Sequence, residues 1–256
     1  MSEVTEKQPL GTPTWIDLGI PDLAIARDFY GALFDWEFVD AGADAGHYTM
    51  CLLRDRPVAA LAPTGADESA HWWNVYLATD DCDATVARIM AAGGRLVLSP
   101  TDVPGQGRMA IAIDPVGGQF GLWQAGNHLG CALVNEPGTL IRNDLVTADP
   151  EPARRFYAEV FDFTLDGNPD LPEWDFTFLR RPDGHEIGGI MGVPGAASMW
   201  QTTFEVADTD AVLEQAREHG GRVGEPEDFV YGRMAQVTDP FGAEFSVITR
   251  AWPSQD

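Results

Sequence analysis

Apolar and polar positions run through one order twice within the first half of the chain. Residues 15–20 (WIDLGI) read as a strand, after which Pro21 and Asp22 open a helix whose apolar positions Leu23, Ala26, Phe29, Tyr30 and Leu33 recur at helical spacing. Three short strand-like runs follow, at residues 36–39, 47–53 and 57–62. The order then restarts with a strand at residues 73–78 and a helix at 82–92 that Gly93-Gly94 stops. Strands near residues 95–98, 108–113 and 119–123 complete it. Each unit reads βαβββ.

The second half of the chain repeats the first. Residues 11–38 lie over residues 138–165 at a constant offset of 127, so that Asp17 meets Asp144, Asp22 meets Asp149 and Phe29-Tyr30 meets Phe156-Tyr157. At the same offset Trp73 meets Trp200, and Gly93-Gly94-Arg95 meets Gly220-Gly221-Arg222. Past a two-residue deletion, Gly107-Arg108-Met109 meets Gly232-Arg233-Met234, and Asp114-Pro115 meets Asp239-Pro240. Core aromatics, glycines and turn residues matching together are what a duplicated fold keeps. The expected division is an N-terminal stretch at residues 1–10, flexible because it is polar, a domain at 11–129, a linker at 130–137, a second domain at 138–252 and a flexible end at 253–256. The fold class is α+β, with four βαβββ modules in two tandem pairs.

Composition narrows the partners. A formal net charge of −24 repels nucleic acid and anionic lipid surfaces, and no cluster of Lys or Arg reverses it locally. The only lysine is Lys7, which excludes a Schiff-base lysine from the folded part. Cys51, Cys82 and Cys131 are too widely spaced for a zinc site and are expected to be buried, reduced thiols. No apolar run spans a bilayer and no signal peptide is legible, so a soluble, cytoplasmic protein is expected, monomeric or homodimeric. Neither a GxGxxG phosphate loop nor a GxSxG elbow occurs in context, and no cofactor is expected.

A strand, an Asp opening a helix that carries Arg-x-Phe-Tyr-like residues, a second helix ending in Gly-Gly and a closing Asp-Pro-x-Gly turn occur in both halves. This pattern resembles the vicinal oxygen chelate superfamily of glyoxalases, bleomycin resistance proteins and extradiol dioxygenases. Within it, the doubled form resembles actinobacterial proteins provisionally labelled hydroxylases or glyoxalase-like. The resemblance implies paired modules whose curved sheets enclose a cavity holding the active site. It also implies metal ligands, His, Gln or Glu, on the first strand of each unit, and a Glu on the last strand.

Counting back seven residues from the helix-opening aspartates gives Trp15, Asn74, Arg142 and Gln201 for the first-strand positions. Counting forward seven from Asp114 and Asp239 gives Gly121 and Ser246 for the closing ones. Indole and guanidinium donate hydrogen bonds and offer a cation no lone pair, glycine has no side chain, and the amides and hydroxyl are weak neutral ligands. No metal site is therefore expected. The pair His185-Glu186 is the best salvage candidate, and only one of two adjacent strand residues can face the cavity.

Without a metal, the cavity acts through shape, stacking and hydrogen bonds. Trp15, His47, Tyr48 and Trp123 are expected in aromatic walls, alongside Met50 and Met191, although tryptophans on strands commonly serve the core instead. Asn74, Gln201 and Ser246 would meet a polar edge of the ligand, while Gly121 leaves room. Arg142 would hold an anionic oxygen, or pair internally with a carboxylate such as Glu205. The first cavity is expected to be the more apolar. The expected function is binding of a small apolar or aromatic molecule, such as a secondary metabolite, for sequestration or tailoring. Its rivals are a metal-dependent lyase or dioxygenase, and a cofactor-free enzyme transferring protons through Arg142 or a histidine such as His185.

Overall fold

A computed structural model describes residues 2–65 and 70–251, of Ser2 only the backbone, so the tail at 252–256 lies outside the described residues. The first half holds β2 (Pro13–Ile20), α1 (Leu23–Phe34), β3 (Glu37–Asp40), β4 (Thr49–Leu53) and β5 (Arg56–Pro63), preceded by β1 (Ser2–Glu3). It continues with β6 (Trp73–Ala78), α2 (Cys82–Ala91), β7 (Arg95–Val103), β8 (Gly107–Ile113) and β9 (Gln119–Ala125). After β10 (Leu133–Val134), the second half holds β11 (Leu140–Thr147), α3 (Pro150–Phe161), β12 (Thr164–Gly167), β13 (Phe176–Arg180) and β14 (Glu186–Gly192). It closes with β15 (Met199–Glu205), α4 (Thr209–Glu218), β16 (Arg222–Val223), β17 (Glu227–Phe229), β18 (Gly232–Thr238) and β19 (Glu244–Arg250).

Each half forms one curved sheet with the first strands of its two units side by side at the centre. The orders are β3-β4-β5-β2-β6-β9-β8-β7 and β12-β13-β14-β11-β15-β19-β18-β16, with β17 also on β18. Asp22, Asp81 and Asp208 cap their helices by accepting backbone N–H groups of the first turn. The strand β7 runs on to Val103, beyond the expected end near residue 98, through two register shifts that break its apolar alternation.

Alternation along the strands gives each sheet a helix-covered face and an open concave one. Ile16, Leu18 and Ile20 of β2 are fully buried on the helix side, while Trp15 and Asp17 face the other way. The helix-covered sides of the two sheets meet, α1 against α4 and α2 against α3, and one continuous buried core runs through both domains. The Tyr30 hydroxyl crosses to donate to Asp239 at 3.0 Å, and Tyr157 crosses the other way to donate to Asp114 at 2.9 Å. The repeated Gly-Gly is explained at the same junction. Gly93 and Gly220 take positive φ at the helix ends (91° and 87°). A Cβ on Gly94 or Gly221 would instead strike Phe156 or Phe29 of the opposite domain, at 3.1 and 2.7 Å.

The N-terminal stretch, expected to be flexible, lies along the segment between the domains. Strand β1 pairs antiparallel with β10, Val4 donates its N–H to Ala132 O, and Arg56 pairs with Glu3. All three cysteines are free and buried. Among the described residues no helix is long and apolar enough to cross a membrane.

Candidate functional site

On the first domain's concave face the counted positions come together around a residue the counting did not reach. Asp17 lies two residues beyond Trp15 on the same face of β2, and it is 8% exposed. Its Oδ2 accepts the hydroxyls of Tyr48 and Tyr76 at 3.0 and 3.1 Å, and its Oδ1 accepts Asn74 Nδ2 at 3.0 Å. Trp15 Nε1 donates to the Tyr48 hydroxyl at 2.8 Å, and Trp72 Nε1 donates to Asn74 Oδ1 at 3.0 Å. Burial raises the Asp17 carboxyl above the usual carboxylate range against the pull of its three donors, and it raises both tyrosines well above theirs. The centre is therefore polar, where the sequence alone suggests the more apolar of the two cavities.

This face is filled by its own side chains. The Trp15 ring is 3% exposed and packs edge-on against His128, ring centroids 4.3 Å apart. A Cβ placed on Gly121 would lie 2.2 Å from the Tyr76 ring, so the tyrosine occupies the space a side chain at this counted closing position would need. Trp123, two residues on, is also buried and donates its Nε1 to His128 O at 2.9 Å. His47 stands apart, exposed on a turn where its Nδ1 meets Asp40 at 2.9 Å. Trp73 and Trp200 belong to the interdomain core, against Tyr30 and Tyr157.

The burial of His128 has a measurable consequence. Lacking a partner for Nε2 and packed between Trp15 and Trp123, the imidazole has its pKa pulled down from 6.5 to about 4 by burial. The unfolded chain therefore takes up this proton first. The stability His128 contributes is complete above pH 6.5 and is lost as the pH falls toward about 4. The loss has a ceiling of roughly 3 kcal/mol. Urea unfolding from pH 7 to 4 should show a flatter decline for His128→Phe than for the native chain, and parallel curves would contradict the assignment.

The second domain presents a different centre on the same frame. Arg142 Nε donates to both oxygens of Asp144, at 2.8 and 2.7 Å, and Nη1 donates to Glu186 at 2.5 Å. Its guanidinium carbon lies 5.3 and 5.4 Å from the ring centroids of Phe176 and Phe178, and Nη2 has no hydrogen-bond partner. Burial lowers the guanidinium's pKa but the two carboxylates outweigh it, so Arg142 stays a cation. Burial likewise raises Asp144 against the pull of Arg142. Glu205, a suggested partner for Arg142, is taken by Arg250 at 2.6 Å. Arg142, Thr203 and Ser246 are cross-strand neighbours, as are Asp144 and Gln201, which puts all the counted positions on one face.

This face is the more open one: the Arg142 side chain is 28% exposed, and Gln201 and Ser246 are also partly exposed. Beside Arg142 a cavity of about 570 Å³ opens between the two domains, bordered by Val4 and Gln8 of the N-terminal stretch, Thr12 and Thr14 of the first domain, Asn135 before β11, and Glu186. Gln201, Ser246, Phe176 and Phe178 lie outside its lining. His185 is exposed in the turn before β14 and lines the same cavity. Neither face fits a divalent cation. The first offers a single carboxylate, Asp17, whose oxygens already accept Tyr48, Tyr76 and Asn74, beside indole, amide and a covered glycine. The second places a guanidinium between its two carboxylates, and among the described residues no three His, Cys, Asp or Glu converge as ligands.

The sequence reading missed Asp17, Tyr76, Asp144 and Phe176. The signal was present for the first three, because each lies two residues along a strand from a counted position.

Comparison with known proteins accords with this frame. The Glyoxalase/Bleomycin resistance protein/Dioxygenase superfamily matches residues 12–122 and again residues 137–247. CFP32 of Mycobacterium tuberculosis (strain CDC 1551 / Oshkosh), provisionally named a glyoxylase, is 40% identical over 250 residues, 94% of this chain and 95% of its own. The anthracycline biosynthesis protein DnrV of Streptomyces peucetius is 38% identical over 260 residues, 93% of each chain. Among solved structures, the Mn(II)-bound glyoxalase from Novosphingobium aromaticivorans superposes with a TM-score of 0.65 at 19% identity, over 93% of this chain and 82% of that one. The 2,3-dioxygenase LapB from Pseudomonas sp. KL28 does so at 0.63 and 14% identity, over 97% of each. The doubled βαβββ frame and these matches together make the chain a member of the glyoxalase, bleomycin resistance and dioxygenase superfamily, with the family's domain present twice.

Proposed function

We propose that the protein binds a small, largely apolar or aromatic molecule in the second domain, without a metal, for sequestration or tailoring. The observation that carries this reading is the fixed cation at Arg142, held by Asp144 and Glu186 against two phenylalanine rings beside an open cavity. Phe176 and Phe178 beside Arg142 would supply aromatic contact area on the concave face, where Gln201 and Ser246 would orient an edge of the ligand. The adjoining cavity adds the apolar Leu140 and Ile187. The first domain, its concave face filled by Trp15 and Tyr76, serves as support. A relative named for anthracycline biosynthesis favours a flat, oxygenated secondary metabolite as the ligand class. The acid excess argues against nucleic acid and membrane partners. The reading holds for a cytoplasmic monomer or homodimer alike.

The test uses 1,8-dihydroxyanthraquinone, a flat phenolic probe, titrated against tryptophan fluorescence. The expected result is saturable binding at a single site, with a Kd in the micromolar range that EDTA leaves unchanged. No saturable quenching, or binding that appears only on adding Mn(II), would overturn the proposal.

A further inference from the structure

We propose that the loop between β12 and β13 and the hairpin between β17 and β18 form a gate over the second domain's concave face, latched by Tyr231. The proposal rests on the binding reading above, since the gate would control access to the concave face that carries Arg142, Gln201 and Ser246, whereas the cavity on the N-terminal side of Arg142 is bordered by none of the gate residues.

The two segments belong to opposite ends of one sheet. Six strand steps separate β12 from β18 in the sheet order, roughly 29 Å if the sheet were flat. Their loops nevertheless touch. The Tyr231 hydroxyl lies 3.0 Å from Asn168 Oδ1 and 3.1 Å from Asp170 Oδ2, and the Trp174 and Phe229 rings meet edge to face at 5.6 Å. Contact between the ends requires the sheet to curl and the bridge to pass over one of its faces. Helices α3 and α4 cover the outer face, which leaves the inner one. Arg142 projects from the inner face.

The construction suits a gate that opens. Asn168 is buried, and its Oδ1 also accepts the N–H groups of Asp170 and Leu171, so the loop's own turn and the latch share one acceptor. Tyr231 remains 41% exposed and its neighbour Val230 59% exposed, so little apolar surface holds the hairpin down. Thr203, at the centre of the concave face that the bridge would cover, is 9% exposed. One hydroxyl proton shared between two acceptor oxygens and one ring contact are few enough for thermal opening, on the microsecond-to-millisecond scale of loop gating.

Two measurements separate the gate from the binding reading. In Thr203→Cys, the new thiol reports access to the concave face without any ligand, while Cys51, Cys82 and Cys131 are buried internal controls. Adding Tyr231→Phe should raise the N-ethylmaleimide labelling rate at residue 203 by roughly fivefold to tenfold, the population shift expected from losing the hydroxyl's one shared hydrogen bond. The native thiols should keep their rates, each followed by mass spectrometry. An unchanged rate at 203, or a rise shared by the native thiols, overturns the gate. In stopped-flow mixing with 1,8-dihydroxyanthraquinone, Tyr231→Phe should raise kon and koff by the same factor and leave Kd unchanged. A changed Kd at constant kon would make Tyr231 a plain ligand contact and overturn the gate. Faster labelling at 203 with no probe binding in the native chain supports the gate and sinks only the binding reading.

Discussion

Asp239→Ala is expected to cost the fold roughly 3–4 kcal/mol at neutral pH, far more than a turn residue ordinarily costs. The side chain accepts the backbone N–H groups of Phe241 and Ala243, both at 2.8 Å, and the hydroxyl of Tyr30 from the other domain. Removing it strands three donors, among them a fully buried phenol. Burial raises the Asp239 carboxyl, so part of the gain is already spent on desolvating the charge, which keeps the estimate below the sum of three hydrogen bonds. The pseudo-symmetric Asp114→Ala should cost a similar amount, because Asp114 accepts Val116, Gly118 and Tyr157 in the same way. A double-mutant cycle between Tyr30→Phe and Asp239→Ala should return a coupling of roughly 1–3 kcal/mol. Denaturant unfolding would decide it: a loss under about 1 kcal/mol, or two separate domain transitions in the native chain, would refute the clasp.

The same residues show how far the sequence could be read. Asp22, Asp81 and Asp208 announce their helices because capping is local chemistry, and the 127-residue offset announces the duplication because a repeated fold keeps its turns and core. Tyr30 and Tyr157 are visible as repeated residues, but each makes its bond to the opposite domain, 209 and 43 residues away, and nothing local encodes that distance. At the sites, seven-residue counting reached Trp15 and Arg142 because helix start and strand are rigidly joined. It stopped short of Asp17 and Asp144, although a strand period of two carries the same face onward. Glu186 is legible in the sequence as half of the His185-Glu186 pair, a candidate metal ligand and not a partner for Arg142. Its pairing with Arg142 depends on the parallel register of β11 against β14, which follows from how the sheet is ordered. His47 had the right residue type on the wrong segment: its backbone takes φ of 60° on a turn before β4 begins, so strand alternation does not govern where it points.

The largest effect at the site is expected from Arg142→Met. Methionine keeps an apolar stem against Phe176 and Phe178 but leaves Asp144 and Glu186 as two carboxylates facing each other with no cation between them. Removing one partner of such a partly buried pair costs roughly 3–5 kcal/mol, discounted toward the lower figure because the Glu186 side chain is 31% exposed. The pH dependence has a definite sign. Asp144 is already raised by burial and loses the charge that opposed the shift, so its pKa should climb further in the variant. A carboxyl raised in the folded state favours folding while protonated, and that contribution disappears as the pH rises through its folded pKa. The deficit of Arg142→Met should therefore be greatest near pH 7 and shrink on acidification, by urea unfolding at matched ionic strength. Adding Asp144→Asn should recover much of it at pH 7, since the unpaired charge and not the missing guanidinium is the source of the cost. Equal stability of Arg142→Met and the native chain at pH 7 would mean that solvent already screens the cluster, and Arg142 would then be no fixed cation on which to build a binding site.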